Sequence, residues 1–171
     1  NSAARFNAPC YPGLDSAGNI YVPDAWSHTI RKVTPGGTNW VVTTLAGRAG
    51  IYGSADGTNS AARFYWPLQV VVDRSGSLYV ADSVSSTIRK IAQVGTNWVV
   101  TTVAGLAGST GNSDGTGSAA RFYFAGEAGA VAVDSAGNLY VPDWRNQTIR
   151  KGMPASSVPA PLLQPPSLSA G

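Results

Sequence analysis

The chain has 171 residues, the length of one ordinary domain and enough for a sizeable core. Only 12% of the residues are charged, about half the usual share. The net charge is +3. Each of the three lysines directly follows an arginine inside the repeat, so the basic residues are spread along the chain and are not clustered as a basic patch, which disfavours nucleic-acid binding. The single cysteine, Cys10, excludes an intramolecular disulfide, and no run approaches the roughly 18 apolar residues that insertion into a membrane requires.

One ten-residue pattern recurs three times and organises the chain. Its copies are Asp15–Asp24, Asp73–Asp82 and Asp134–Asp143, and each is followed by Thr-Ile-Arg-Lys. A second motif, Ala-Ala-Arg-Phe, precedes each copy, and its arginines at positions 5, 63 and 121 are 58 residues apart. A fixed long period is typical of an array in which every copy is one supersecondary unit.

The first copy predicts four short strands in meander order. Residues 1–6 correspond to the end of the loop between repeats, so the chain starts within a repeat. Residues 7–14 contain two prolines and a glycine, which weaken a ladder, and they predict a distorted first strand. After a turn at Asp15–Asn19, the other three predicted strands are Ile20–Val22, Thr29–Val33 and Trp40–Leu45.

The second copy keeps this order, and the third copy departs from it. The strands predicted for the second copy are Val70–Val72, Leu78–Val80, Thr87–Ile91 and Trp98–Val103. The third copy has additional residues near 125–129, which predict a bulge or a longer loop. No Trp-Val-Val-Thr-Thr follows Lys151, so the fourth strand of this copy is expected to be missing. Residues 152–171 contain five prolines and predict a linker or tail.

Sheets of this kind bury both faces only when they stack on one another, which is the arrangement of β-propeller blades. No segment has apolar residues at helical spacing over three turns, so a helical solenoid is disfavoured. The predicted fold is therefore all-β, with antiparallel blades that form a partial propeller. The three blades are expected at about 1–58, 59–116 and 117–151, the last one incomplete.

The repeat resembles the NHL repeat. Residues 131–143, Val-Ala-Val-Asp-Ser-Ala-Gly-Asn-Leu-Tyr-Val-Pro-Asp, and 148–151, Thr-Ile-Arg-Lys, carry the likeness. Residues 44–47, Thr-Leu-Ala-Gly, and 60–64, Ser-Ala-Ala-Arg-Phe, are similar to the long bacterial version. The resemblance spans about residues 1–151 and implies a propeller of four-stranded blades, usually six.

The same resemblance bears on activity and on the tail. The family includes a metal-dependent lyase and resembles lactonase propellers, both of which use several histidine ligands. This chain has one histidine, His28, so neither an enzymatic activity nor a metal or cofactor is carried over. The tail at 164–171 is similar to linkers that lead into immunoglobulin-like domains of large bacterial surface proteins.

Three blades are fewer than the roughly four to eight that close a ring, so an apolar sheet face is left bare at each end. Two chains could pair to make six blades, chains could join head to tail as a fibre, or the sequence could be a piece of a longer propeller. The start within a repeat and the missing strand favour strand exchange with a neighbour. The expected partners are copies of the chain or adjoining repeats.

Charged residues of the repeat predict ion pairs and turn caps. Arg5, Arg63 and Arg121 could grip an anionic ligand, but we expect pairing that pins the long loop, with Asp56 and Asp114 as carboxylate partners. Arg5 would then lack its partner, because the matching aspartate would precede residue 1. The aspartates at 15, 73, 134, 24, 82 and 143 could ring a channel and bind a cation, but calcium needs a denser set of oxygens, so turn capping is expected.

Aromatic residues and one sequon give further candidates. Trp26, Trp66 and Trp144, with Tyr52 and Tyr123, either line a sugar-binding surface or pack between blades, and we expect packing. Asn146-Gln147-Thr148 is a glycosylation sequon, which makes Asn146 a candidate for an attached glycan.

These observations favour a non-enzymatic extracellular or cell-surface scaffold. It would self-associate by burial of blade faces and by strand completion, into a ring or a fibre. The alternative is a propeller binding module whose loops hold a glycan, a peptide or a protein partner. The third reading is a part of a longer propeller enzyme.

Overall fold

The computed structural model describes residues 4–126 and 128–153, which form three antiparallel sheets. Blade 1 has the strand order β1 (Gly13–Leu14), β2 (Ile20–Asp24), β3 (Thr29–Gly36) and β4 (Asn39–Gly47). Blade 2 has the order β5 (Gly57–Thr58), β9 (Asn97–Ala104), β8 (Thr87–Val94), β7 (Leu78–Asp82) and β6 (Pro67–Val72). Blade 3 has β10 (Ala132–Val133), β11 (Leu139–Asp143) and β12 (Thr148–Gly152). The predicted all-β fold of partial propeller blades is confirmed.

The first turn of each repeat is built by its aspartate. The Asp15 carboxylate accepts hydrogen bonds from the backbone N–H groups of Ala17 and Asn19, both at 2.9 Å, and from the Tyr21 hydroxyl at 3.0 Å. Asp134 accepts the equivalent bonds in blade 3. Such side-chain bonds to the backbone stabilise a tight turn, so these aspartates cap turns as expected. The second set, Asp24, Asp82 and Asp143, was expected to do the same but pairs with arginines instead.

The inner edge of blade 1 is irregular, in agreement with the two prolines of this segment. Among the described residues this edge is formed by the two-residue strand β1. Tyr11 bonds to Leu68 and Val70 of the neighbouring blade, at 3.0 and 3.2 Å. Gly13 lies so close to β6 that a Cβ atom would be 2.7 Å from the Val70 carbonyl oxygen. The glycine therefore permits close contact of blades 1 and 2.

The core lies between the sheets and consists of two apolar layers. The layer between blades 1 and 2 includes Ile30, Phe64 and Val80, none of them exposed. The layer between blades 2 and 3 includes Ile88 and Phe124. Each layer buries one face of two sheets at once, which explains why a single repeat could not fold alone.

The strand count differs from one blade to the next. The loop after blade 1 adds β5 to the outer edge of blade 2, with Gly57 opposite Val100 and Thr58 opposite Val99. This fifth strand was not predicted. Blade 3 has three strands in the described residues, and the additional residues near 125–129 include a turn at 125–126. Most of the predicted tail, from residue 154 onward, lies outside the described residues.

Candidate functional site at the open end of blade 3

A buried ion pair stands at the centre of blade 2. The β7–β8 hairpin pairs Asp82 with Thr87, which puts Arg89 two residues along β8 and beside the carboxylate. The Arg89 guanidinium lies 3.3 Å from Asp82, and neither side chain is exposed. Asp82 also accepts the Tyr65 N–H at 2.7 Å. Burial raises the pKa of Asp82 above its ordinary value, while the Arg89 charge opposes this shift.

The same arginine holds the loop that enters the blade. Arg89 donates to the carbonyl oxygen of Ala55 at 3.0 Å and to Asp56 at 2.8 Å. The Asp56 carboxylate then accepts two bonds from Thr102 on β9, from its N–H at 3.0 Å and from its hydroxyl at 2.8 Å. Asp56 thus connects the buried arginine to the outer strand. Burial alone would raise the pKa of Asp56, but the bonds from Thr102 and Arg89 outweigh it and lower the pKa.

Blade 3 repeats the contacts of the arginine but not those of the outer strand. Arg150 lies 3.3 Å from Asp143, donates to the carbonyl oxygens of Ser113 and Arg121, and pairs with Asp114. In the described residues no strand lies beyond β12, so no described residue takes the place of Thr102. The Asp114 side chain is therefore 96% exposed, against 49% for Asp56.

The missing strand leaves an opening beside β12. A cavity of about 380 Å³ lies between β12 and the loop, and its lining is largely polar. The lining residues include Asn112, Asp114, Asn146, Thr148, Arg150 and Lys151. In blade 2 the corresponding space between the loop and β8 is filled by β9. We call this opening the β12 cleft.

The outward face of blade 3 is bare. Its Ile149 occupies the repeat position of Ile30 and Ile88, which are not exposed at all because the next blade covers them. Ile149 is 75% exposed. A cavity of about 580 Å³ lies over this face and is lined by Pro142, Trp144, Arg145 and Ile149 among others.

The opposite end of the stack, the outward face of blade 1, is open as well. Phe6 is 36% exposed, whereas the equivalent Phe64 and Phe122 are almost completely buried between blades. Leu14 is also largely exposed. Arg31, the counterpart of Arg89, lies 3.6 Å from Asp24 and donates to the carbonyl oxygen of Arg5. Both ends of the described stack therefore present incompletely covered apolar surface.

The arginines that pair with the loop carboxylates were predicted wrongly: they belong to Thr-Ile-Arg-Lys and not to Ala-Ala-Arg-Phe. The loop carboxylates pair with Arg89 and Arg150, not with the arginines of Ala-Ala-Arg-Phe. Arg63 instead donates to the backbone carbonyls of Ser60, Ala61 and Ala62, and Arg121 donates to those of Ser118 and Ala120 and to the Ser109 hydroxyl. Arg5 is exposed, and its carbonyl oxygen accepts the bond from Arg31. Both arginines recur once in each repeat, so the repeat pattern alone does not distinguish between them.

The structure brings two of the three candidate tryptophans together. The Trp26 and Trp66 rings stack with centroids 6.2 Å apart and planes at 16°. They border a cavity of about 440 Å³ that is also lined by Pro9, Tyr11, Pro12 and Leu68. Trp144 is not part of this group and belongs to the bare face of blade 3, beneath the Arg145 guanidinium.

The other aromatic candidates and the sequon have local roles. Tyr52 stacks on Tyr65 with centroids 4.5 Å apart, and Arg145 lies over the ring of Tyr123. The side-chain nitrogen of Asn146 donates to the Gly111 carbonyl at 2.7 Å and to Asp143 at 2.8 Å. A glycan would replace one of the two hydrogens on this nitrogen, so attachment requires that at least one of these bonds breaks.

Comparison with known proteins supports the fold. No family model matches the chain. The chloroplastic protein SUPPRESSOR OF QUENCHING 1 of Arabidopsis thaliana is 38% identical over 74 residues, which are 43% of this chain and 7% of the plant protein. The chain therefore spans only a small part of this relative.

Two solved Bacteroides structures match a larger share of the chain. One is a protein of unknown function from Bacteroides thetaiotaomicron, with 26% identity and a TM-score of 0.66 over 78% of this chain and 32% of that one. The other is an auxiliary nutrient binding protein from Bacteroides ovatus, with 25% identity and a TM-score of 0.64 over 78% of this chain and 34% of that one. The structural neighbours are all-β, propeller-like folds, and this chain spans about a third of their length.

A helix that crosses a membrane needs a long apolar stretch. Within residues 4–126 and 128–153, no helix is long and apolar enough to cross a membrane.

Proposed function

We propose that the chain is an NHL-type propeller segment and a non-enzymatic scaffold that associates with copies of itself at the cell surface or outside the cell. The observation that carries this proposal is the exposure of Ile149 at a position where the other two repeats bury the same residue against a following blade. The same isoleucine is buried in two repeats and exposed in the third. We infer from this difference that another blade packs on the exposed surface.

The partner that fits this surface is the other end of the same molecule. The outward face of blade 3 carries Tyr140, Pro142 and Ile149, the counterparts of Tyr21, Pro23 and Ile30. Those blade 1 residues face blade 2, which contributes Phe64 to the layer between them. The outward face of blade 1 offers the counterpart of this phenylalanine, Phe6. A second copy can therefore dock its blade 1 on blade 3 as blade 2 docks on blade 1.

Such a contact joins two different surfaces, so it is head to tail. It closes when two copies give six blades, a number within the usual range for propellers, and it continues as a fibre when the rotation does not close. At about 25 cal/mol per Å², a few hundred Å² of apolar face would contribute several kcal/mol per junction before the association costs are subtracted. Completion of blade 3 by a neighbouring strand would add to this.

Sedimentation velocity over a concentration series tests the proposal. We expect the wild-type protein to form a dimer or a larger species, and Ile149→Asp to remain monomeric, because the charge would be buried at the junction. Val94→Asp is the matched control: Val94 is 60% exposed near the end of β8, away from both bare faces, and this variant should associate as the wild type does. A wild-type protein that stays monomeric and folded at every concentration would refute self-association.

A binding module is the second candidate function. Its support is the groove beside the stacked pair of Trp26 and Trp66, together with the name of the Bacteroides ovatus neighbour, which is a nutrient binding protein. Exposed aromatic faces suit the apolar faces of sugar rings. A glycan array probed with the wild type and with Trp26→Ala tests it: binding that is lost in the variant supports the module, and no binding by either protein opposes it.

A further inference from the structure

We propose that the β12 cleft is a receptor for one extended peptide segment of the β9 type, held between β12 and the loop by strand addition, with a threonine bonded to Asp114. This inference rests on one part of the proposed function, the completion of blade 3 by a strand from another polypeptide, and it identifies the chemistry of that strand. The cleft, its charge pattern and its register are all defined by comparison with blade 2.

The loop beside the cleft is already in its final position. Arg150 holds Asp114 and the Ser113 carbonyl just as Arg89 holds Asp56 and the Ala55 carbonyl. In blade 2 the strand β9 lies between β5 and β8, which corresponds to two strand spacings of about 4.8 Å each. Because the loop of blade 3 is fixed by the same bonds without an intervening strand, the space of one strand stays open.

The two sides of the cleft offer the groups that a strand requires. The outer edge of β12 has no partner strand among the described residues, so no described strand competes for its backbone groups. Blade 2 gives the register: Arg89 lies opposite Thr102, Lys90 opposite Thr101 and Ile91 opposite Val100, in antiparallel order. By the same register, a threonine of the incoming segment lies opposite Arg150.

That threonine position is selective. In blade 2, Thr102 donates both its N–H and its hydroxyl to the Asp56 carboxylate. The exposed Asp114 carboxylate can accept the same two bonds. Every residue except proline can donate its backbone N–H, but only a residue with a hydroxyl can donate the second bond in the same way as Thr102. One backbone contact of β9 has no counterpart in blade 3: the N–H of Trp98 bonds to Asn59 in blade 2, and Gly117 occupies the position of Asn59 in blade 3.

Other occupants fit the cleft less well. A segment rich in proline lacks the N–H groups of a ladder. An acidic segment would place a second carboxylate beside Asp114. The preferred occupant is therefore an uncharged, β-forming segment with a hydroxyl residue at the sixth position of Asn-Trp-Val-Val-Thr-Thr, the sequence that β4 and β9 share.

Fluorescence anisotropy with a labelled peptide of residues 96–103, Thr-Asn-Trp-Val-Val-Thr-Thr-Val, tests this inference. We expect saturable binding to the wild-type protein and about tenfold weaker binding of the peptide that carries Thr102→Val, since one bond to a carboxylate is lost. With the protein variant Asp114→Ala the two peptides should bind equally, because the partner of the hydroxyl is gone. Equal binding of both peptides to the wild type, or no binding of either, overturns the inference.

The outcome is separable from that of the proposed self-association. Sedimentation that depends on Ile149 without any peptide binding would leave the assembly intact and remove the cleft as a receptor. Peptide binding by a strictly monomeric protein would keep the receptor and refute the assembly. Hydrogen exchange supplies an independent readout: the bound peptide should protect β12 amides and leave those of β4 unchanged.

Discussion

The guanidinium of Arg89 and the carboxylate of Asp82 lie 3.3 Å apart, and neither side chain is exposed to solvent. The corresponding pairs at the ends of the stack, Arg31 with Asp24 and Arg150 with Asp143, include an arginine side chain that is 17% and 15% exposed. Among the described residues, blade 1 has no blade before it and blade 3 has no counterpart of β9, so only the pair of blade 2 is fully enclosed. The exposure of the arginine in this repeated ion pair therefore increases where a neighbouring blade or strand is missing from the described residues.

The enclosed pair is predicted to be sensitive to loss of its cation. Arg89→Met should lower the free energy of unfolding by about 3–5 kcal/mol, because it leaves the Asp82 carboxylate buried without a counter-charge. Arg150→Met is the matched control and should cost less, since Arg150 is partly exposed and solvent can compensate. Urea unfolding followed by tryptophan fluorescence measures both. Equal losses in the two variants would show that enclosure does not set the cost.

The two loop aspartates should differ in their contribution to stability. Asp56→Ala removes the acceptor of two Thr102 bonds and of the Arg89 bond, and should cost about 1–3 kcal/mol. Asp114→Ala removes an almost fully exposed carboxylate that bonds to no outer strand, and should change the unfolding midpoint little. Thermal unfolding of the two variants in parallel tests this, below the concentration at which the chains associate. A larger loss for Asp114→Ala would contradict the assignment of Thr102 as the bond that matters.

The repeat pattern was sufficient to predict the fold but not the ion pairs and hydrogen bonds that hold the loop. Period and strand propensity identify which segments recur, and the predicted strands of the second copy all lie within strands of the structure. They do not reveal which arginine reaches Asp56. Arg63 is only seven residues away along the chain, and the true partner, Arg89, comes close only after β7 and β8 have folded back.

The fifth strand of blade 2 was missed for a related reason. Gly57 and Thr58 lie in a glycine-rich loop, which predicts no strand. They pair with β9 because Asp56, one residue earlier, is bonded to Thr102 on that strand. A tertiary contact therefore overrides a weak local preference, and local sequence patterns do not predict such a contact.

Tyr21 gives the protein a predicted alkaline transition. Burial, followed by the hydrogen bond to Asp15, raises the pKa of Tyr21 to about 12. Because the folded-state pKa exceeds the ordinary value of about 10, the protonated phenol contributes stability below pH 10 that is lost as the pH rises through 12. Tyr21→Phe should flatten the decline in stability over this window. Absorbance of the phenolate at 295 nm should show one tyrosine fewer among those that ionise last, and an unchanged titration would contradict the burial of this hydroxyl.

Mixing two association-deficient variants should distinguish a head-to-tail contact from a symmetric one. Ile149→Asp spoils the outward face of blade 3, and Phe6→Asp spoils that of blade 1, so each variant alone should be monomeric. A mixture, however, contains one intact surface of each kind and should form a heterodimer through a single junction. In a symmetric contact of blade 3 with blade 3, Phe6→Asp would associate by itself and mixing would recover nothing. Sedimentation velocity with one variant fluorescently labelled separates these results, because the labelled species shifts to the dimer position only if the two variants complement each other.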